Sequence, residues 1–179
     1  MLKMFTTQLT GLLNRIHEKE EFAFEDGARL LAQATVGDGN IYVYGVGEMK
    51  AVEAEAIHGA EPLTHAKVLH IEDVDSLQLA DRVILVTRYT HDEKALQIGK
   101  SLLAQGIPFI SIATHVNSDG ESLADISDVH IDLNLKKGLL PDEVGNRFGY
   151  PASMAALFVY YGLKFTLDEI IAENEEELD

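Results

Sequence analysis

From about residue 40 the chain alternates short apolar runs with stretches of helical period. Ile41-Tyr42-Val43-Tyr44 reads as a strand running into a glycine turn, with a helix over Glu48 to His58. Lys67 to Ile71 is a second strand, followed by a short helical stretch near Asp75 to Ala80. Arg82 to Thr87 is a third strand, and His91 to Gln105 a helix ended by Gly106. Ile107 to Ile112 and Val129 to Leu133 complete five strands. Strands that are apolar almost throughout, with helices between them, are buried on both faces, as in a parallel sheet. The pattern predicts a doubly wound α/β domain with helical flanks.

The flanks carry a different pattern. Phe5, Leu9, Leu12, Leu13 and Ile16 fall on one helical stripe, and a second helix is expected over Glu25 to Ala34. Ala152 to Phe165 is apolar almost all round, Ser153 and Lys164 being the exceptions. A helix of that kind is central or shared with another subunit. The expected division is an N-terminal helical arm over 1–38, a core over 39–166, and a C-terminal helix and acidic tail over 167–179. The run Glu173 to Asp179 reads as a solvated end.

Composition narrows the function. With 14 Lys+Arg against 30 Asp+Glu, the net charge of −16 opposes nucleic acid and anionic membranes as partners. Cysteine is absent, which excludes thiol catalysis and disulfides. Met1 to Thr10 lacks the charged and apolar regions of a signal peptide, so a cytoplasmic location is expected.

In a doubly wound sheet, ligands bind beyond the carboxyl ends of the strands. The loop after the first strand, Gly45-Val46-Gly47-Glu48-Met49, either opens backbone N–H groups to an anion or simply makes a tight turn. The loop after the third, Thr87-Arg88-Tyr89-Thr90-His91-Asp92-Glu93, gathers hydroxyls, an arginine and a histidine at a helix start. Those groups suit a phosphate or a sugar hydroxyl, and Thr90 or Asp92 also suits a helix cap. Thr114 to Gly120 is a further polar loop, and Lys136, Lys137 and Arg147 bracket a long connection over Gly138 to Asn146. Among the histidines, His91 and His115 project from ligand-edge loops and are the acid–base candidates, with Glu48 and Glu93 the best-placed carboxylates. His70 and His130 fall within strand patterns, and His17 and His65 have no evident partner.

Gly45-x-Gly47, the run Asp81 to Thr90, the run Gly106 to Ile112 and the segment Ser122-Leu123-Ala124-Asp125-Ile126 together resemble the sugar isomerase (SIS) domain family. The N-terminal helices resemble those of its phosphoheptose isomerase branch. The resemblance implies a flavodoxin-like strand order, a phosphorylated sugar as ligand, and a homodimer or homotetramer. It implies no cofactor. Ligand binding would fall to Gly45, Gly47, Glu48, Thr87, Arg88, Tyr89, Thr90, His91 and Thr114, with His115 closing one side. Aldose–ketose isomerisation would use Glu48, His91, Glu93 or His115.

Departures from the family are specific. Its Ser-x-Ser-Gly-x-Thr loop is here occupied by Thr87, Tyr89, Thr90 and Asp92, the last bringing a charge that opposes phosphate. Met49 stands where a serine is frequent. The branch's metal-binding His and Glu correspond by register to Glu55 and Gly59, so no metal residues are expected, and any catalysis should be metal-independent and weak on ordinary phosphosugars. Glu55 and His58 share a helix face but read as an exposed acidic helix with a stray histidine. Two alternatives stand beside the isomerase. One is a non-catalytic sensor or structural homodimer. The other is a dinucleotide-binding domain, for which Lys50 replaces the third glycine and Glu72 stands in for the ribose-binding acid.

Overall fold

Residues 1–36 contain no proline, and Glu18 to Glu21 are good helix formers joining the two expected N-terminal helices. The computed structural model, which describes residues 1–117 and 119–176, accordingly has one helix there, α1 (Leu2–Val36). Ser118, in the polar loop after the fourth strand, and the last three residues of the acidic run lie outside the described residues. Gly27 lets α1 close on its neighbour, since a Cβ there would lie 2.8 Å from a methyl of Leu163.

The remaining elements are β1 (Ile41–Gly45), α2 (Lys50–His58), β2 (Ala66–Val68), β3 (Arg82–Tyr89), α3 (Glu93–Gln105), β4 (Phe109–Thr114), α4 (Leu123–Ile126), β5 (Val129–Asp132), β6 (Leu140–Pro141), β7 (Arg147–Phe148) and α5 (Ala152–Glu176). Short 3₁₀ turns cover Gly47–Met49 and Ile71–Ser76, the second replacing the helix expected near Asp75 to Ala80. The five main strands form one parallel sheet in the order β2-β1-β3-β4-β5. The doubly wound class and the flavodoxin-like order are therefore those of the molecule.

Strand β3 shows why its run is apolar throughout. Ile84 and Val86 pack with α1 and α5 residues such as Leu12, Ile16, Tyr160 and Leu163. Val83 and Leu85 pack on the other side with Ile98, Leu102 and Phe109. Each alternate position thus has a core of its own.

Two expectations change at the C-terminal end. The helix predicted over Ala152 to Phe165 continues to Glu176, because Leu167 is buried and Ile170 and Ile171 pack against the core. Lys164, buried within it, donates to Asp168 at 2.6 Å. The long connection after β5 is a small antiparallel hairpin, β6–β7. Asp142 shapes its turn by accepting from the amides of Val144 and Asn146.

Candidate functional site

The strand order reverses between β1 and β3, and the loops that follow these strands enclose a cleft of about 300 Å³. Val46, Gly47 and Glu48 form one wall; Thr87, Arg88, Tyr89, His91 and Asp92 form the other.

The first wall is a tight backbone turn. Gly45 has no space for a side chain, since a Cβ would meet the Met49 carbonyl oxygen at 2.4 Å. Its amide donates to Glu53 Oε1 at 2.7 Å, and the Val46 amide donates to the Val86 carbonyl at 2.9 Å. The Gly45 amide is thus committed to a carboxylate of α2 and does not face an anion. That corrects the first of the two readings left open for this loop. Gly47 takes a left-handed φ of +58° and turns the chain into the 3₁₀ segment.

On the second wall, the register between β3 and β4 shifts between Val86 and Tyr89, which buries Thr87 and turns Arg88 outward. Arg88 reaches across the cleft: its Nε donates to Glu48 Oε1 at 2.8 Å, and a terminal guanidinium nitrogen lies 2.6 Å from the same oxygen. Hydrogen bonding to Glu48 raises the Arg88 pKa above its ordinary value. Both groups are solvent-accessible, so the pair orients the two side chains and adds little stability. The rings of Tyr89 and His91 stack at 5.7 Å with planes 7° apart, forming a flat platform. Asp92 accepts from the Ala95 amide at 3.0 Å and caps α3. This leaves the Glu93 and Lys94 amides without an intrahelical partner. The carboxylate expected to oppose a phosphate is thus held by the helix it caps.

Gly47, Glu48, Thr87, Arg88, Tyr89 and His91 are brought together, whereas Gly45, Thr90 and Thr114 do not line the cleft. Thr90 is fully buried because its backbone bridges two elements, its amide donating to Thr114 and its carbonyl accepting from Leu123. The Thr114 hydroxyl accepts from the Leu135 amide at 3.2 Å. His115 belongs to a separate cluster near the ends of β4 and β5. Its amide donates to Asp132, and its ring stands edge-on to His130 at 6.4 Å. The His130 Nδ1 shares a 2.8 Å hydrogen bond with Ser111, and burial lowers its pKa. Glu93 starts α3 on an adjoining surface, outside the cleft. Of the four acid–base candidates, Glu48 and His91 face the cleft.

Glu55, one of the two positions matched to the family's metal pair, accepts from the Tyr161 hydroxyl at 2.6 Å. Among the described residues, no three His, Asp or Glu side chains converge as a metal set would. Val46 and Asp92 are cleft residues that the candidate set omitted, although both stand in the loops singled out. Glu53 is a further omission, and nothing in its spacing from Gly45 marks it.

The family model for a domain of unknown function, DUF2529, matches residues 1–171. The chain belongs to the DUF2529 family. A relative, the uncharacterized protein YwjG of Bacillus subtilis (strain 168), is 42% identical over 173 residues, 97% of this chain and 99% of that one. Solved structures extend the likeness to the SIS fold. An Escherichia coli CFT073 protein in complex with a phosphosugar has a TM-score of 0.68 at 20% identity, covering 96% of this chain and 89% of that one. The phosphoheptose isomerase GmhA of Neisseria gonorrhoeae has a TM-score of 0.63 at 14% identity, covering 93% and 99%. The Vibrio vulnificus NanR protein complexed with ManNAc-6P has a TM-score of 0.70 at 14% identity, covering 98% and 64%. This DUF2529 chain therefore has the SIS fold, with its cleft at the sheet edge where that topology predicts one.

Proposed function

We propose that this chain binds a phosphorylated sugar in the switch-point cleft. The observation that carries the reading is the second wall: an outward arginine, a stacked Tyr89–His91 platform and two unpaired helix amides meet in one cleft. The helix N-terminus and Arg88 suit the phosphate, and a flat ring pair suits the apolar face of a sugar. Neighbours of the same fold complexed with phosphosugars, ManNAc-6P among them, support this ligand class.

Isomerisation is the finer part of the proposal. Moving a proton between C1 and C2 requires a base beside those carbons, and Glu48 and His91 are the acid–base groups facing the cleft. A second reading, a sensor without turnover, is supported by the Arg88–Glu48 pair, which occupies the base in the ligand-free geometry. A cytoplasmic location accompanies both readings; no helix among the described residues is long and apolar enough to cross a membrane.

The test is a melting screen of pentose, hexose and heptose phosphates, followed by assays for aldose–ketose interconversion with and without chelator. A ligand at a hundred times its Kd adds about 2.7 kcal/mol, roughly a 5–10 °C rise in Tm for a chain of this size. Tyr89→Ala and His91→Ala should abolish most of that rise. Turnover that falls at least 10²-fold in Glu48→Gln would support the isomerase reading, and binding without turnover would support the sensor.

The assembly we propose is a homodimer or larger, joined through α1 and α5. Phe22 is 79% exposed and Phe165 54%, and a groove of about 530 Å³ between the two helices is lined by Phe24, Phe158, Phe165 and Ile170. Sedimentation at micromolar concentration should show a dimer or larger species that Phe165→Glu dissociates. A monomer at that concentration would overturn this assembly.

A further inference from the structure

In a chain whose acids outnumber its bases by 30 to 14, one concavity has the opposite sign. It measures about 410 Å³ and lies between α1 and the connection that follows β5. Its charged lining consists of Arg15 and Lys19 from α1 with Lys136, Lys137 and Arg147 from the connection, and no carboxylate lines it. Five of the chain's 14 cationic side chains thus share one cleft. None of the five is in an ion pair among the described residues, where the four pairs use Arg29, Arg88, Lys100 and Lys164.

The fold holds this arrangement in place. Arg15 and Lys19 are one helical turn apart on α1, with buried Leu12 beneath them. Leu135, buried on the facing segment, completes an apolar floor that limits solvent screening from below. Asn134 adopts a left-handed φ of +53°, fixed by two hydrogen bonds to Asp132, and its Oδ1 lies 3.5 Å from Lys19 Nζ. The Arg147 Nε donates to the Gly138 carbonyl at 3.0 Å, which leaves its terminal nitrogens available. Asp132, the carboxylate beside this segment, already accepts from the amides of His115 and Asn134. Gathering like charges without counter-charge carries a repulsive cost that a bound anion would remove.

We propose that this cleft is a second binding site, taking the phosphate group of a small molecule with at least two negative charges, such as a phosphomonoester or a diphosphate. It shares no lining residue with the switch-point cleft, so it does not depend on the reading given to that cleft. The contrast in charge is direct. The switch-point cleft pairs its arginine with Glu48 and also holds Asp92, whereas the basic cleft holds five cations and no acid.

The experiment is calorimetric titration of the full chain at low salt with inorganic phosphate, pyrophosphate, a nucleoside diphosphate and a sugar phosphate in turn. The double variant Lys136→Glu, Lys137→Glu and the single variant Arg15→Gln alter opposite walls at exposed positions. Circular dichroism checks that each is folded, and Arg88→Gln reports on the other cleft. Pyrophosphate should bind the parent protein and weaken steeply with added salt. The double variant should weaken it at least tenfold and Arg15→Gln severalfold, while Arg88→Gln leaves it unchanged. The order of the four probes identifies which phosphate chemistry the site prefers. No binding of any probe at low salt, or binding unaffected by both basic-cleft variants, would overturn the proposal.

Discussion

Replacing Gly45 by alanine is expected to cost the fold about 3 kcal/mol and to abolish ligand binding in the switch-point cleft. The added Cβ would lie 2.4 Å from the Met49 carbonyl oxygen, 2.5 Å from its carbon and 2.7 Å from the Lys50 nitrogen. All three are backbone atoms at the start of α2, so no side chain can rotate away. Relief requires β1 and α2 to separate, which also stretches the bond from the Gly45 amide to Glu53. Urea unfolding would measure the loss, with the midpoint lowered and the slope preserved. A loss below about 1 kcal/mol would mean that the turn yields more easily than its geometry implies.

A loss of similar size with the opposite functional consequence is expected for Asp81→Ala. Asp81 is only 4% exposed, and its two carboxylate oxygens accept from the amides of Asn40 and Gln78, each at 2.8 Å. These amides lie just before β1 and β3, at the amino end of the sheet, away from both clefts. Removing the carboxylate strands two partly buried donors, at about 1–3 kcal/mol each. The variant should lose about 3 kcal/mol yet bind its sugar phosphate normally while folded. Asp81→Asn, which keeps one acceptor, should lose less. Together the two variants separate stability from function: each weakens the fold, and Gly45→Ala alone removes the site.

The sheet was legible because burial on both faces leaves a continuous apolar signature, as in Val83 to Val86. Helix junctions were less so. No sequence signal separates two amphipathic helices from one when the residues between them, Glu18 to Glu21, favour helix themselves. The cleft was legible as loops but not as side-chain directions. Thr90 faces inward because its backbone is tied to Thr114 and Leu123, contacts that depend on how β4 and α4 come together. His115 is drawn toward Asp132 and His130 by the pairing of β4 with β5. The basic cleft was half legible. Lys136, Lys137 and Arg147 stand near one another in sequence, but Arg15 and Lys19 lie more than a hundred positions earlier and join them only through the packing of α1.

The central claim is that a phosphorylated sugar occupies the cleft between the ends of β1 and β3. Its most direct test is a backbone-amide NMR titration with pentose, hexose and heptose phosphates. The account predicts saturable shifts centred on Gly47, Glu48 and Arg88 to Lys94, and lost in Tyr89→Ala. Absence of shifts with every sugar phosphate, or shifts confined to Arg15, Lys136 and Lys137, would contradict it.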